Sequence, residues 1–173
     1  MVIVFLFFFI SNKTAKAAVT ITAPSKTVYA CSTFPTSYYP LGKIVIDENN
    51  NGDFSTGTDV TLILNAPTNF EFFPSGVTVS YTASRNITSA TVLSITTTKI
   101  TLSITVSGTN KDDQLTISGI KIRGLNSITG ASNIVRDAAS TATISGDVTG
   151  TTHATVSSAL GGTIPGDAGS ITG

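Results

Sequence analysis

Residues 99–107 read KITLSITVS, and this stretch decides the class of the chain. Ile100, Leu102, Ile104 and Val106 share one parity; Thr101, Ser103, Thr105 and Ser107 share the other. Side chains alternate across a strand, so the pattern is that of a strand with one face in a core and one in water. The wet face carries hydroxyls rather than charges. The habit runs through the whole sequence: of 173 residues 30 are Thr and 20 are Ser, while only 12% are charged, against roughly 25% in ordinary globular chains. Threonine is β-branched and suits a pleated surface, and hydroxyls keep a sheet face polar without charge. An all-β chain follows.

Working outward, Val77, Val79 and Tyr81 alternate with Thr78, Ser80 and Thr82. Val60, Leu62 and Leu64 alternate with Thr61, while Ile63 makes the second face apolar, as in a strand near the middle of a sheet. Residues 115–124, LTISGIKIRG, change phase: Leu115 and Ile117 lie on one parity, Ile120 and Ile122 on the other. A bulge at Ser118-Gly119 would return all four to one buried face. Further strands are expected at Val19–Ala23, Gly42–Asp47, Ile87–Ile95 and Thr141–Gly146, and a short aromatic one at Phe70–Phe73. Turn signals separate them at Asn49–Gly52, Pro74–Gly76, Gly108–Asn110 and Gly146-Asp147. No helical stripe exceeds two turns. The expected architecture is a single antiparallel β-sandwich over residues 18–158, with Greek-key connections, immunoglobulin-like or cohesin-like. Its expected core is Ile44, Ile46, Leu62, Leu64, Phe72, Val79, Leu102, Ile104, Leu115, Ile117, Ile120 and Ile122.

Val2–Ile10 is an unbroken apolar run, followed by Ala15-Lys16-Ala17. The run is too short to span a bilayer, which takes about 20 residues, and the small-x-small tripeptide is a cleavage signal. Residues 1–17 are therefore read as a secretory signal peptide, although no Lys or Arg precedes the apolar run. The mature chain would start at Ala18, be secreted or held at the cell surface, and have no membrane span. Its balance of 8 basic and 10 acidic residues leaves no basic patch, so nucleic acid is not an expected partner. Cys31 is the lone cysteine and cannot close an internal disulfide; it reads as a small buried hydrophobe. Residues 159–173, ALGGTIPGDAGSITG, read as a Gly-rich linker toward further domains of a longer chain.

Candidate chemistry is sparse. Asp47-Glu48-Asn49-Asn50-Asn51-Gly52-Asp53 matches the opening of a calcium loop, with oxygen ligands at alternate positions and Gly at the sixth. The bidentate acid of the twelfth position is replaced by Thr58, and strands flank the loop, so an EF-hand is excluded. A weaker calcium site from Asp47, Asn49, Asn51, Asp53 and Asp59 stands against a plain solvated hairpin turn. No other cofactor is expected. Asp112-Asp113 is a second acidic pair, in a turn. His153 is the only histidine; it lies in a Gly/Thr-rich stretch without a nucleophile motif and reads as a surface residue. Of the two glutamates, Glu48 belongs to the polar turn and Glu71 sits between aromatics in FEFF, so no carboxylate pair for glycoside hydrolysis stands out. The chain does not read as an enzyme. Tyr38-Tyr39-Pro40, preceded by Phe34-Pro35, is the one aromatic cluster in a turn context. Its rings are candidates to stack on a glycan, or they plug one end of the sandwich. Asn86-Ile87-Thr88 fits a glycosylation sequon to which no role is assigned.

The string KIVIDENNNGDFSTGTDVTLILNAPTNFEF, with ITLSITVSGTNKDDQLTISGIKIRG after it, resembles β-sandwich modules near the N-terminus of very large, secreted, multi-domain bacterial surface proteins. More distantly it is similar to cohesin-like and carbohydrate-module sandwiches. The resemblance spans roughly residues 19–158 and rests on turn and core residues. It implies secretion and a role in adhesion or matrix assembly, and brings no catalytic residue. The expected function is thus a non-catalytic structural or adhesive module, with an extracellular glycan or protein as partner. The alternatives are a carbohydrate-binding module using Tyr38 and Tyr39 and, last, a secreted hydrolase.

Overall fold

The computed structural model describes residues 18–30, 37–125 and 130–160. The signal-peptide reading of 1–17, Cys31, Phe34-Pro35 and all but the first two residues of the 159–173 linker lie outside the described residues. Thirteen strands are described: β1 Thr20–Thr22, β2 Ser25–Ala30, β3 Tyr39–Pro40, β4 Ile44–Asp47, β5 Gly57–Asn65, β6 Phe70–Phe72, β7 Thr78–Tyr81, β8 Ile87–Ile95, β9 Lys99–Val106, β10 Gln114–Ser118, β11 Lys121–Gly124, β12 Gly130–Arg136 and β13 Thr152–Leu160. No helix occurs among the described residues.

The strands form a two-layer sandwich. One layer is a six-stranded sheet in the order β2-β13-β12-β5-β9-β8. The other combines a four-stranded sheet, β1-β4-β10-β7, with a three-stranded one, β3-β11-β6. Three strands of the four are neighbours in sequence of a strand of the three: β3 precedes β4, β6 precedes β7, and β10 precedes β11. All pairings are antiparallel except β2 with β13, which is parallel and sets Ser25 to Ala30 beside Thr155 to Leu160. The sandwich expected from the sequence is therefore present.

The core fills the space between the layers. Ile44, Ile46, Leu115, Ile117, Ile120, Ile122 and Phe72 project from one side, and Leu62, Leu64, Ile100, Leu102 and Ile104 from the other; each is at most 1% exposed. Every expected core residue is buried except Val79, which is half-buried and packs on the cluster's edge. The phase change at Ser118-Gly119 is the break between β10 and β11. Gly119 has φ +75°, and a Cβ there would stand 2.1 Å from the Gly76 carbonyl oxygen, so only glycine fits. Both sides of the break keep their isoleucines inward.

Three expected strands need correction. Val19–Ala23 and Gly42–Asp47 shorten to Thr20–Thr22 and Ile44–Asp47. Thr141–Gly146 is not a strand; it holds only the isolated bridges Phe54↔Ile144 and Ile144↔Asp147. The reason lies in β5. β12 pairs with it only at Asn65 and Leu64, and the segment after β12 takes over that edge. Thr141 and Ala142 donate to the Thr61 carbonyl, while the hydroxyls of Thr141 and Ser140 accept from the Thr61 and Ile63 amides. Side-chain oxygens replace a strand's carbonyls there, so the alternation of Thr141–Gly146 was real but served an edge cover. β8 carries two bulges. The second leaves Leu93 as the extra residue, and it is 59% exposed.

Candidate functional site

Three polar clusters hold the side chains that could do chemistry. The first lies at the turn after β4. Glu48, 7% exposed, accepts the Phe54 amide at 2.5 Å and the Asp113 amide at 2.6 Å. Asp113, 2% exposed, in turn accepts the Asn86 and Ile87 amides, each at 2.9 Å. Asp53 is buried and takes the Asn50 amide at 3.1 Å. Three loops are thus tied together by carboxylates that accept backbone N–H groups, satisfying donors that would otherwise be buried and unpaired. Burial, offset in part by those two amides and assisted by the neighbouring Asp113 and Asp53 charges, raises the Glu48 carboxyl above its ordinary value. Asn86 of the sequon belongs to this cluster. It is 5% exposed and its Nδ2 donates to the Lys111 carbonyl at 2.7 Å, so the amide nitrogen a glycan would need is in use.

Of the five candidate calcium ligands only Asp53 lies in this interior. Asp47, Asn49 and Asn51 are exposed. Asp47 Oδ1 takes the Gln114 amide nitrogen at 3.3 Å, and Asn49 bonds the Thr20 hydroxyl and the Ala18 carbonyl. Asp59 sits on β5, where its Oδ1 accepts the hydroxyls of Ser103 and Thr105 on the neighbouring strand. Among the described residues, no group of three or more His, Cys, Asp or Glu side chains is arranged to hold a metal ion.

The second cluster tests the aromatic platform. Tyr39 stands opposite Ile122 in the ladder and packs against the core, while Tyr38 turns the other way. Neighbouring residues of an extended chain face opposite sides, so Tyr38 and Tyr39 do not form one stacking surface. Tyr38 instead meets Phe73 at 5.0 Å between ring centroids, tilted by 60°. The Arg123 guanidinium stands 4.6 Å over the Tyr38 ring and the Lys121 ammonium 5.6 Å over Phe73. Glu71 accepts the Tyr38 hydroxyl at 2.6 Å and the Arg123 Nε at 2.5 Å. Burial, then the Glu71 carboxylate, raises the Tyr38 hydroxyl above its ordinary value. A cation thus stands over one face of the Tyr38 ring and over one face of Phe73.

The third cluster went unread in the sequence. Arg136, Asp147 and His153 are 6%, 2% and 0% exposed. Arg136 shares the inward parity of Ile134 on β12, so its charge points toward the core side. There Nη1 meets Asp147 Oδ2 at 2.8 Å and Nη2 donates to the Ala142 carbonyl. His153 is the extra residue of a bulge: Ile134 pairs with Ala154, but Val135 pairs with Thr152. The bulge turns both His153 and Ala154 inward. His153 Nδ1 lies 3.0 Å from the Thr151 carbonyl, and Nε2 lies 3.4 Å from Asp147 Oδ2. The surface position expected for His153 from its Gly/Thr-rich surroundings is therefore wrong; the bulge turns the ring inward. Arg136 and Asp147 also line an open cavity of about 260 Å³, with Ser140, Thr143 and Thr149 around it.

Comparisons with known proteins add little. No family model matches the chain, and no curated protein matches it. It is similar to a chain in the crystal structure of a CaDoc0917 variant complexed with CaCohA2 at pH 5.5. That likeness is 14% identical in sequence, covers 79% of this chain and 100% of the other, and has a TM-score of 0.36. It is too loose to bear on function, and the fold stands on this chain's own sheets.

Proposed function

We propose that the chain is a non-catalytic structural or adhesive module of a secreted or cell-surface protein. One observation carries this reading. Glu48 and Asp113 are buried and spent on the backbone, Glu48 on Phe54 and Asp113, and Asp113 on Asn86 and Ile87. Acceptors locked to amides fix loops; they are poorly placed to shuttle protons to a substrate. The outward positions of the large sheet support the same reading. Thr27 bonds Ser157 and Thr155 bonds Asn133 across strands, giving an uncharged hydroxyl surface.

The test is export. The full chain, tagged at its C-terminus, is expressed in a Gram-positive host, and the product is recovered from the medium or from intact cells treated with protease. The expected product begins at Ala18 and is accessible outside the membrane. An uncleaved product held in the cytoplasm overturns the proposal. No observation favours the glycan-binding alternative, since Tyr38 and Tyr39 face opposite ways.

A further inference from the structure

We propose that His153 is an acid-tightened latch, in which one proton taken up at Nε2 bonds β13 to the 137–151 loop through Asp147. The imidazole's two nitrogens stand in different surroundings. Nδ1 faces a backbone carbonyl, that of Thr151, at 3.0 Å. A carbonyl only accepts, so Nδ1 is the donor and carries the hydrogen. In a neutral ring Nε2 is then a bare acceptor. Its neighbour is Asp147 Oδ2, 3.4 Å away, with both side chains fully buried. A carboxylate also only accepts. Neutral His153 therefore sets two acceptors against each other, and Nε2 is without a hydrogen-bond partner in a site that water does not reach. Asp147 Oδ1 lacks one as well.

A proton on Nε2 converts this conflict into a charge-assisted N–H···O bond. Two effects oppose it. The buried ring must carry charge, and Arg136, 2.8 Å from the same Oδ2, already neutralises Asp147. Asp147 from the loop and Arg136 from β12 are the charged groups that face the imidazole. β2, on the other side of β13, brings Lys26 to the level of Val156, beyond Ala154. Geometry favours the proton. Arg136 is already bonded to the Ala142 carbonyl as well as to Asp147, so its charge is shared, whereas Nε2 has nowhere else to turn. The latch closes on a defined element. Arg136 and Asp147 wall the cavity, and the Arg136 and Gly150 amides tie β12 to the turn before β13. Acid thus adds one bond from β13 to a loop that Arg136 of β12 already holds through Asp147 and Ala142. The inference is independent of where the protein resides.

His153 is the only histidine, so a chain made without a polyhistidine tag gives one imidazole signal in ¹⁵N NMR. The expected result is a ring with Nδ1–H and unprotonated Nε2 at pH 8 that gains its second proton by pH 5 while the chain stays folded. In parallel, urea melts at pH 8 and pH 5 compare the wild type with His153→Gln and Asp147→Asn. The wild-type folding constant should rise about tenfold more on acidification than that of either variant. In Asp147→Asn the side-chain amide can donate to the neutral ring and remove the need for the proton. A folded imidazole that remains neutral down to pH 5 overturns the latch, as does a wild-type constant that rises no more than the variants'. Should either variant fail to fold, the wild-type spectrum decides alone.

Discussion

Glu48→Ala should cost this fold several kcal/mol, and the reason is arithmetic on two bonds. The carboxylate accepts the Phe54 and Asp113 amides at 2.5 and 2.6 Å. Alanine leaves both donors buried with no acceptor, at about 1–3 kcal/mol each. Against this stands relief, because the variant no longer buries a charge beside Asp113 and Asp53, the burial that raises the Glu48 carboxyl. A net loss of about 2–4 kcal/mol remains, or roughly 10 °C in melting temperature for a domain of this size. Glu48→Gln is the sharper probe. Its amide keeps one acceptor but points a donor at the second N–H, so about half the loss is expected. The pH dependence follows from the direction of the shift. A carboxyl raised in the folded state binds its proton more tightly there than when unfolded. Its contribution is most favourable below the ordinary value of 4.5 and diminishes as pH rises through the raised one. Urea melts from pH 4 to pH 7 should therefore show wild type losing stability relative to Glu48→Gln as pH rises. An alanine variant melting within about 2 °C of wild type, or a difference that grows with pH, would refute the idea that this carboxylate holds the three loops together.

Gly119→Ala should be severe for its size. The residue sits at φ +75° with the Gly76 carbonyl in the way, so a loss above about 2 kcal/mol by chemical denaturation is expected; a neutral result would mean that the β10–β11 break can relax. Asp137 is held well below its ordinary 3.8, to about 2, chiefly by the Lys99 ammonium at 2.8 Å. A depressed carboxyl stabilises above its unfolded value and loses that stabilisation as pH falls toward 2, so Lys99→Met should flatten the acid limb of the stability curve between pH 4 and pH 2; an unchanged limb would discount the pair. Millimolar calcium should leave the melting temperature of the intact chain where it is, because Asp59 is engaged with Ser103 and Thr105 and does not join Asp47 and Asp53. A clear rise, abolished by chelator, would contradict that.

Much of the fold was written in parity. Strands with a sustained apolar alternation, β5 from Val60 onward, β9 and β10, could be read directly, and the interruption at Ser118-Gly119 could be read because glycine marks it. β12 and β13 escaped for a physical reason. GASNIVR and THATVSSAL mix small and polar residues on both faces, since β13 lies between two strands and buries alanine and serine as readily as valine. β2 escaped because its partner is the far end of the chain. No local turn announces a parallel pairing of Ser25–Ala30 with Thr155–Leu160. Thr141–Gly146 misled because a threonine that donates and accepts for its own backbone looks, in sequence, like a threonine on a strand's wet face.

The candidate residues are arranged otherwise than their spacing suggested. Calcium ligation and glycan stacking were read from residue types that stood close in sequence, yet in a sheet adjacency in sequence is opposition in space. Asp47 and Asn49 are exposed while Glu48 between them is buried, and Tyr39 packs on the core while Tyr38 turns to Phe73. What the fold brings together instead comes from distant segments: Glu48 with Asp113, and Arg136 with Asp147 and His153. One signal for the second group was present. Arg136 stands two positions after Ile134, on the buried parity of an apolar strand, and an inward arginine requires a carboxylate. With Asp147 as that carboxylate, the lone histidine reaches it only if β13 gains a residue against β12, and the bulge at His153 is that residue. A charge placed on the wrong parity is thus a better guide to this protein's buried chemistry than any run of acids on its turns.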